Sequence, residues 1–142
     1  MIKIEKYGTS CTFKLYDFTA CPSELHDVPI DLLDLFINYY TNGCASVWFD
    51  EEMGRQFTFT ITPFYIYIID RNVNVILYEH EIYDEIVDNF AKELIDDIES
   101  NFNECRMFSE YDPSEMIKHG DRIKRRIKKL KHLINEASKY EI

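Results

Sequence analysis

Residues 47–78, VWFDEEMGRQFTFTITPFYIYIIDRNVNVILY, contain the pattern that decides the fold. Aromatic and β-branched residues fill four short runs in this stretch. Such runs favour β-strands, because these side chains pack well on a pleated surface. The runs are separated by Glu51-Glu52-Met53-Gly54, by Thr62-Pro63 and by Asp70-Arg71-Asn72. The stretch therefore predicts an antiparallel meander of about four strands.

The second run predicts which face of this sheet is buried. Its apolar residues are Phe57, Phe59 and Ile61, and its threonines are Thr58, Thr60 and Thr62. Successive side chains of a strand point to opposite faces, so the threonines are expected to face outward. If the turn at Pro63 keeps the expected register, Thr58, Thr60, Tyr65 and Tyr67 share that face. The result is either a patch of the kind enriched at protein interfaces or a surface that a helix covers.

The segment before the meander predicts two strands and a helix. Ile2 to Lys6 and residues 11–16 alternate, and Gly8-Thr9-Ser10 between them is typical of a hairpin turn. Asp27 and Pro29 then resemble an N-cap and a first-turn proline, and Asn42-Gly43 ends the helical pattern.

The segment after the meander has the spacing of helices. From Glu81 onward one apolar stripe continues for about 25 residues, which predicts one long helix. The stripe consists of Ile82, Ile86, Phe90, Leu94 or Ile95, Ile98, Phe102 and Cys105. Asp112-Pro113-Ser114-Glu115 resembles the start of a last helix, with Gly120 as a possible break or bend.

These patterns together predict an α+β fold. We expect one domain, residues 1–142, because this length suits a single core and no linker interrupts the sequence. We expect a mainly antiparallel sheet of about five to six strands with three helices, two long ones C-terminal. The helices are expected to cover one face of the sheet.

Charge is sorted along the chain. Residues 1–112 contain 22 Asp and Glu against 7 Lys and Arg, whereas residues 113–142 contain 4 against 9. Seven cations fall within residues 122–131. A surface of one sign attracts partners of the other sign and speeds their encounter. This sorting points to a partner more than to a reaction.

No sequence motif predicts a catalytic, metal or cofactor site. The four cysteines are scattered without a C-x-x-C pair, and the four glycines occur singly, so we expect free thiols and no phosphate-binding loop. Neither a secretory signal nor a membrane-spanning run is apparent, which favours a cytoplasmic protein without membrane contact. An enzyme using His80 or His119 with nearby carboxylates remains a weaker alternative.

A small, acidic, cysteine-poor α+β domain rich in Ile, Asn, Lys, Tyr and Phe resembles the immunity proteins of bacterial polymorphic toxins. These include the immunity proteins of contact-dependent growth inhibition. The resemblance is one of overall character and not of motif. It implies a non-enzymatic toxin inhibitor, without a cofactor, that binds one cognate toxin, often a basic nuclease, and blocks its active site or substrate-binding surface.

Two acidic regions are the candidate binding sites for such a toxin. The first is the polar stripe of the predicted helix after Glu81, and the second is a hairpin tip between strands. The candidate residues are Asp84, Glu85, Asp88, Asp96, Asp97, Glu99, Asp50, Glu51 and Glu52, with Tyr83 as an aromatic anchor.

The alternative is a nucleic-acid-binding regulator that uses the basic helix of residues 118–131. The net charge of −10 disfavours it, because the rest of the molecule repels a polyanion. The basic helix is otherwise expected to lie beside the acidic helix and balance its charge within the fold.

Overall fold

A computed structural model describes residues 2–6, 11–23, 26–51, 54–81, 84–106 and 112–138. The strands are β1 (Ile2–Lys6), β2 (Thr12–Leu15), β3 (Phe18–Ala20), β4 (Ala45–Asp50), β5 (Gln56–Ile61), β6 (Tyr65–Asp70) and β7 (Val75–Glu81). The helices are α1 (Val28–Asn42), α2 (Asp84–Ser100), α3 (Phe102–Arg106) and α4 (Pro113–Ser138). The predicted turn at Gly8-Thr9-Ser10 lies outside the described residues.

The strands form two antiparallel sheets, in the orders β1-β2-β3 and β4-β5-β6-β7. The α+β class and the four-strand meander are confirmed, but the prediction of one sheet of five to six strands is wrong. The sequence analysis missed β3, which is only three residues long and follows a tight turn at Tyr16, where φ is +50°. Tyrosine is rare in such a turn, so the sequence carried no turn signal there.

The first helix has the predicted bounds. Asp27 caps it through a hydrogen bond from the Ile30 N–H to Asp27 Oδ1, and Pro29 lies in its first turn. Gly43 ends it with φ at +84°, and its N–H donates to the Tyr39 carbonyl at 2.8 Å. A left-handed residue that returns its N–H to the last turn is a common helix C-cap.

The predicted long helix after Glu81 is divided in two, so the described residues form four helices instead of three. The break lies at Asn101, whose side-chain Nδ2 donates to the Asp97 carbonyl at 2.9 Å. Such a side chain competes with the backbone for a helical carbonyl and favours a helix end. The last helix, by contrast, runs unbroken through Gly120, where a Cβ atom would lie 3.1 Å from Phe102 Cζ.

Aromatic rings join the two sheets in the core. The Phe13 ring of β2 lies 5.5 Å from the Phe49 ring of β4 and 6.2 Å from the Phe59 ring of β5. Helix α1 packs on α4 and β4, while α2 packs on β1 and α1. The inner face of the four-stranded sheet is therefore buried, and its outer face remains for other contacts.

Candidate partner-binding surface

The outer face of the four-stranded sheet is built by the register of its strands. One row across the sheet joins Trp48, Thr58, Ile69 and Ile76, and the next joins Ser46, Thr60, Tyr67 and Glu79. The predicted register across Pro63 is confirmed, because Thr60 lies opposite Tyr67. Phe57, Phe59 and Ile61 on the other face are fully buried, as predicted.

Exposed apolar side chains concentrate on this sheet. Trp48 is 41% exposed, Tyr65 41% and Ile76 54%. Of the seven large hydrophobic residues exposed within the described ranges, six lie on the strands or turns of this sheet. The six are Trp48, Phe64, Tyr65, Val73, Val75 and Ile76, and the seventh is Ile117 of α4. Of these six, Trp48, Tyr65 and Ile76 share the outer face, and a group of exposed apolar side chains on one face commonly marks an interaction site.

Neighbouring side chains hold part of this face in place. The Ser46 and Thr60 hydroxyls hydrogen-bond at 2.8 Å across β4 and β5. The guanidinium of Arg71 lies 5.1 Å from the Trp48 ring centroid, and the His26 ring meets that indole edge-on at 5.3 Å. Because these contacts restrict the indole, Trp48 can bind a partner at a lower entropic cost.

Two acids on β7 lie beside the tyrosines of β6. Glu79 lies opposite Tyr67, and Glu81 lies opposite Tyr65. Both glutamates are exposed, and neither forms an ion pair within the described part of the chain. An apolar centre with unpaired carboxylates beside it suits a partner surface that contains Lys or Arg.

The acidic stripe of α2 is mostly engaged within the fold. Asp88 accepts a hydrogen bond from the Tyr40 hydroxyl, and Asp97 accepts one from the Ile4 N–H at 2.7 Å. Glu99 pairs with Lys131 Nζ at 3.0 Å. Asp96 is exposed and has no such contact with the described residues. The backbone of Asp84 and Glu85 lies in the first turn of α2, but their side chains lie outside the described part of the structure.

The second predicted acidic region, at the hairpin tip between strands, is also engaged within the fold. Asp50 Oδ1 accepts hydrogen bonds from Ser23 Oγ at 2.9 Å and His26 Nε2 at 2.5 Å, and these bonds lower the pKa of Asp50. Glu51 accepts the Cys21 N–H at 2.6 Å and pairs with Arg55. Glu52 and Tyr83 lie outside the described residues.

The two histidines of the enzyme alternative are each packed against other residues of the fold. His119 is buried, and its Nε2 and Nδ1 lie 2.5 Å from Asp27 Oδ2 and 2.9 Å from the Arg106 carbonyl. His80 packs its ring 4.6 Å from the ring of Tyr16. Within the described ranges, no group of three or more His, Cys, Asp or Glu side chains could hold a metal ion.

The cations of α4 divide into paired and unpaired groups. Arg126 Nε pairs with Asp34 of α1 at 2.9 Å, and Lys131 pairs with Glu99 of α2. Arg122, Arg125 and Lys129 are exposed at a spacing of three to four residues, and among the residues that the structure describes they have no ion-pair partner. The fold balances part of the charge of α4, and several exposed cations of this helix, these three among them, form no ion pair with the described residues.

Sequence reasoning missed Trp48, Ile76, Glu79 and Glu81 as members of the candidate surface. In the sequence, Glu79 and Glu81 stand two positions apart at the end of the last strand run, and this spacing was the available signal for both glutamates. Among the described residues, no helix is both long and apolar enough to span a bilayer. No protein-family model matches the chain, and no curated protein or solved structure matches it significantly.

Proposed function

We propose that this chain is a non-enzymatic cytoplasmic inhibitor that binds a basic protein toxin one-to-one, as the immunity proteins of bacterial polymorphic toxin systems do. The observation that carries the proposal is the outer face of the four-stranded sheet. It combines exposed Trp and Tyr side chains with Glu79 and Glu81, two acids that form no ion pair with any residue that the structure describes. Buried aromatic anchors beside complementary charge supply most of the energy of many protein interfaces.

The net charge of the chain supports a basic partner. An excess of acids over residues 1–112 speeds encounter with a cationic surface and can oppose its binding to phosphate. The α2 acids remain a second proposed contact region, of which Asp96 is the exposed and unengaged member among the described side chains. The sheet face is the stronger candidate, because using Asp88 or Asp97 would break contacts that the fold already makes.

The first experiment is affinity capture from the native host with the tagged chain, at physiological and at high salt. We expect one stoichiometric basic polypeptide whose toxicity the chain suppresses when the two are co-expressed. Release of that polypeptide by high salt would agree with charge-assisted binding. Failure to capture such a polypeptide, or capture without any effect on its toxicity, would contradict the proposal.

Point variants then locate the contact. Combined Trp48→Ala and Tyr67→Ala substitutions should weaken binding by about 2 kcal/mol or more, roughly thirtyfold, if these residues are anchors. Ile117→Ala removes an exposed apolar side chain from α4 and is the matched control. Asp96→Lys tests the α2 region more cleanly than reversal of Asp88, which would also remove the acceptor of Tyr40. Unchanged affinity in the sheet variant would exclude the outer face.

A nucleic-acid-binding regulator remains a second proposal because of the exposed cations of α4. Arg122, Arg125 and Lys129 could contact successive phosphates along one side of the helix. This role predicts capture of nuclease-sensitive nucleic acid and steeply salt-dependent binding. Neutralising the three cations should flatten that salt dependence, whereas the sheet variant should leave it unchanged.

A further inference from the structure

The two sheets that the structure describes have four edges, and on three of them other residues cap at least one open backbone group. On β1, the N–H groups of Ile2 and Ile4 donate to Glu93 and Asp97 of α2, at 3.3 and 2.7 Å. Side chains here take the place of a neighbouring strand. Exposed strand edges invite pairing with other chains, and proteins commonly cover them in this way.

The edges of β3 and β4 are capped at single residues, and the backbone groups of Ser46 and Trp48 on β4 have no cap from the described residues. Arg55 Nη2 donates to the Thr19 carbonyl of β3 at 3.4 Å. At the end of β4, the Asp50 carbonyl accepts the Ser23 N–H at 2.8 Å. These caps come from loop or strand residues that pack beside the edge.

The fourth edge, on β7, has no corresponding cap from the described residues. At the two ends of the β5–β6 pair, the Thr62 N–H donates to the Tyr65 carbonyl and the Arg71 N–H donates to the Gln56 carbonyl. Residues 65, 67, 69 and 71 therefore direct their backbone groups toward β5. The backbone groups of Ile66 and Ile68 therefore form hydrogen bonds with β7, where these residues lie opposite His80 and Tyr78.

This alternation determines which groups of β7 are open. The backbone groups of Tyr78 and His80 face β6, and those of Glu79 and Glu81 face away from the sheet. The open N–H and C=O groups belong to the same two acidic residues that lie opposite Tyr67 and Tyr65 in the strand register. Backbone pairing and charge recognition can thus occur at the same residues.

We propose that the free edge of β7 binds an extended, basic segment of the partner as a fifth strand of the sheet. Backbone hydrogen bonds would provide the pairing, and alternate Lys or Arg side chains would meet Glu79 and Glu81. A second copy of this chain is the poorer occupant, because it would bring the same glutamates and a further net charge of −10 to the edge. The identity of the partner as a basic protein rests on the proposed function.

The probe is a capped octapeptide of alternating valine and lysine, and the control peptide has glutamate in place of lysine. Amide hydrogen exchange of the full chain, followed by NMR, reports the edge directly. With the lysine peptide, we expect the Glu79 and Glu81 amides to exchange at about one tenth of their rate without peptide, or more slowly still. The control peptide should leave the rate unchanged. Three results would each overturn the proposal. The first is unchanged exchange of the Glu79 and Glu81 amides at millimolar peptide, and the second is slowing at Ser46 and Trp48 of β4 instead. The third is slow exchange of the Glu79 and Glu81 amides without peptide, which would indicate self-pairing.

A pair of variants separates the backbone from the charge. Glu79→Pro removes an edge N–H without removing a donor of the β6–β7 ladder, since proline is tolerated on the open side of an edge strand. Glu79→Gln removes the same charge and retains the N–H. We expect Glu79→Pro to bind the lysine peptide more weakly than Glu79→Gln, with both variants keeping the amide spectrum of the folded chain. Equal peptide affinity of the two variants would contradict strand pairing.

The outcomes for the edge and for the proposed function are distinguishable. If the captured toxin binds Glu79→Pro and Glu79→Gln equally well, the inhibitor proposal stands and strand addition is wrong. If the lysine peptide protects the β7 edge but no toxin is captured, the edge binds basic strands and the inhibitor proposal is wrong.

Discussion

His119 of α4 lies with its Nε2 2.5 Å from Oδ2 of Asp27, the residue that caps the start of α1. Its Nδ1 lies 2.9 Å from the carbonyl of Arg106 at the end of α3. Because both ring nitrogens face acceptors, the ring can donate from both only when it is positively charged. This one side chain therefore joins three helices, and its hydrogen bond to Asp27 is the main cause that raises the pKa of His119.

The pKa of His119 predicts a pH-dependent contribution to stability. A histidine whose pKa is raised by folding stabilises the folded chain fully when the pH is below its pKa in the unfolded chain, about 6.5. This contribution is lost as the pH rises through the pKa of the folded chain. His119→Gln should therefore cost about 2–3 kcal/mol near pH 6, and the difference from the native chain should shrink toward pH 9. Urea unfolding at several pH values measures this difference. A constant difference would show that the charge on the ring is not used.

The raised pKa of Asp31 predicts that replacing this residue gives a variant more stable than the native chain above neutral pH. Burial, followed by the neighbouring charge of Asp27, raises the pKa of Asp31 to about 6. An acid whose pKa is raised by folding destabilises the folded state once the pH exceeds the pKa of the same acid in the unfolded chain. Asp31→Asn should therefore raise the free energy of unfolding at pH 8, with little gain at pH 3.5. A loss of stability at both pH values would contradict this account.

Asp96 and Asp97 should differ sharply, although they are neighbours in sequence. Asp97→Ala leaves the Ile4 N–H without its acceptor and should cost about 1–3 kcal/mol. Asp96→Ala removes an exposed side chain and should change stability by less than about 0.5 kcal/mol. Chemical unfolding of both variants provides the comparison. Equal effects would show that the cap on β1 contributes nothing measurable.

The four cysteines should react as two pairs. Cys11 and Cys105 are buried, and burial raises the pKa of each thiol to about 12, so their reactive thiolate form is scarce at pH 8. Cys21 and Cys44 are exposed. Brief treatment of the folded chain with iodoacetamide should modify two sites by mass spectrometry, and treatment in denaturant should modify four. Rapid labelling of Cys11 or Cys105 in the folded chain would contradict their burial.

Local patterns predicted several elements well because their causes lie within a few residues. The cap and proline at Asp27 and Pro29 positioned α1, and alternation in residues 57–61 identified the buried face of β5. The same reasoning failed at Asn101, where a side-chain amide ends a helix whose apolar stripe continues beyond it. Hydrophobic spacing records which side of a helix is buried, but it does not record where a polar side chain competes for a carbonyl.

The candidate site could be predicted only in part. The Thr and Tyr residues of the outer sheet face followed from strand alternation, but the use of the α2 acids within the fold did not. Asp88 meets Tyr40 across 48 positions of sequence, and Asp97 meets Ile4 across 93. Acidity is visible in a sequence, whereas the partner of each acid depends on the packing of distant segments.

The sequence by itself determined the α+β class, the antiparallel meander, the bounds of α1 and the separation of charge along the chain, since each depends on composition or local spacing. Three features became visible only in the folded chain: the strands divide into two sheets, most described acids of the predicted site are engaged, and no described residue caps the β7 edge. These features require contacts between segments far apart in sequence. Short-range patterns do not encode such contacts, because the geometry that brings the segments together arises only when the whole core packs.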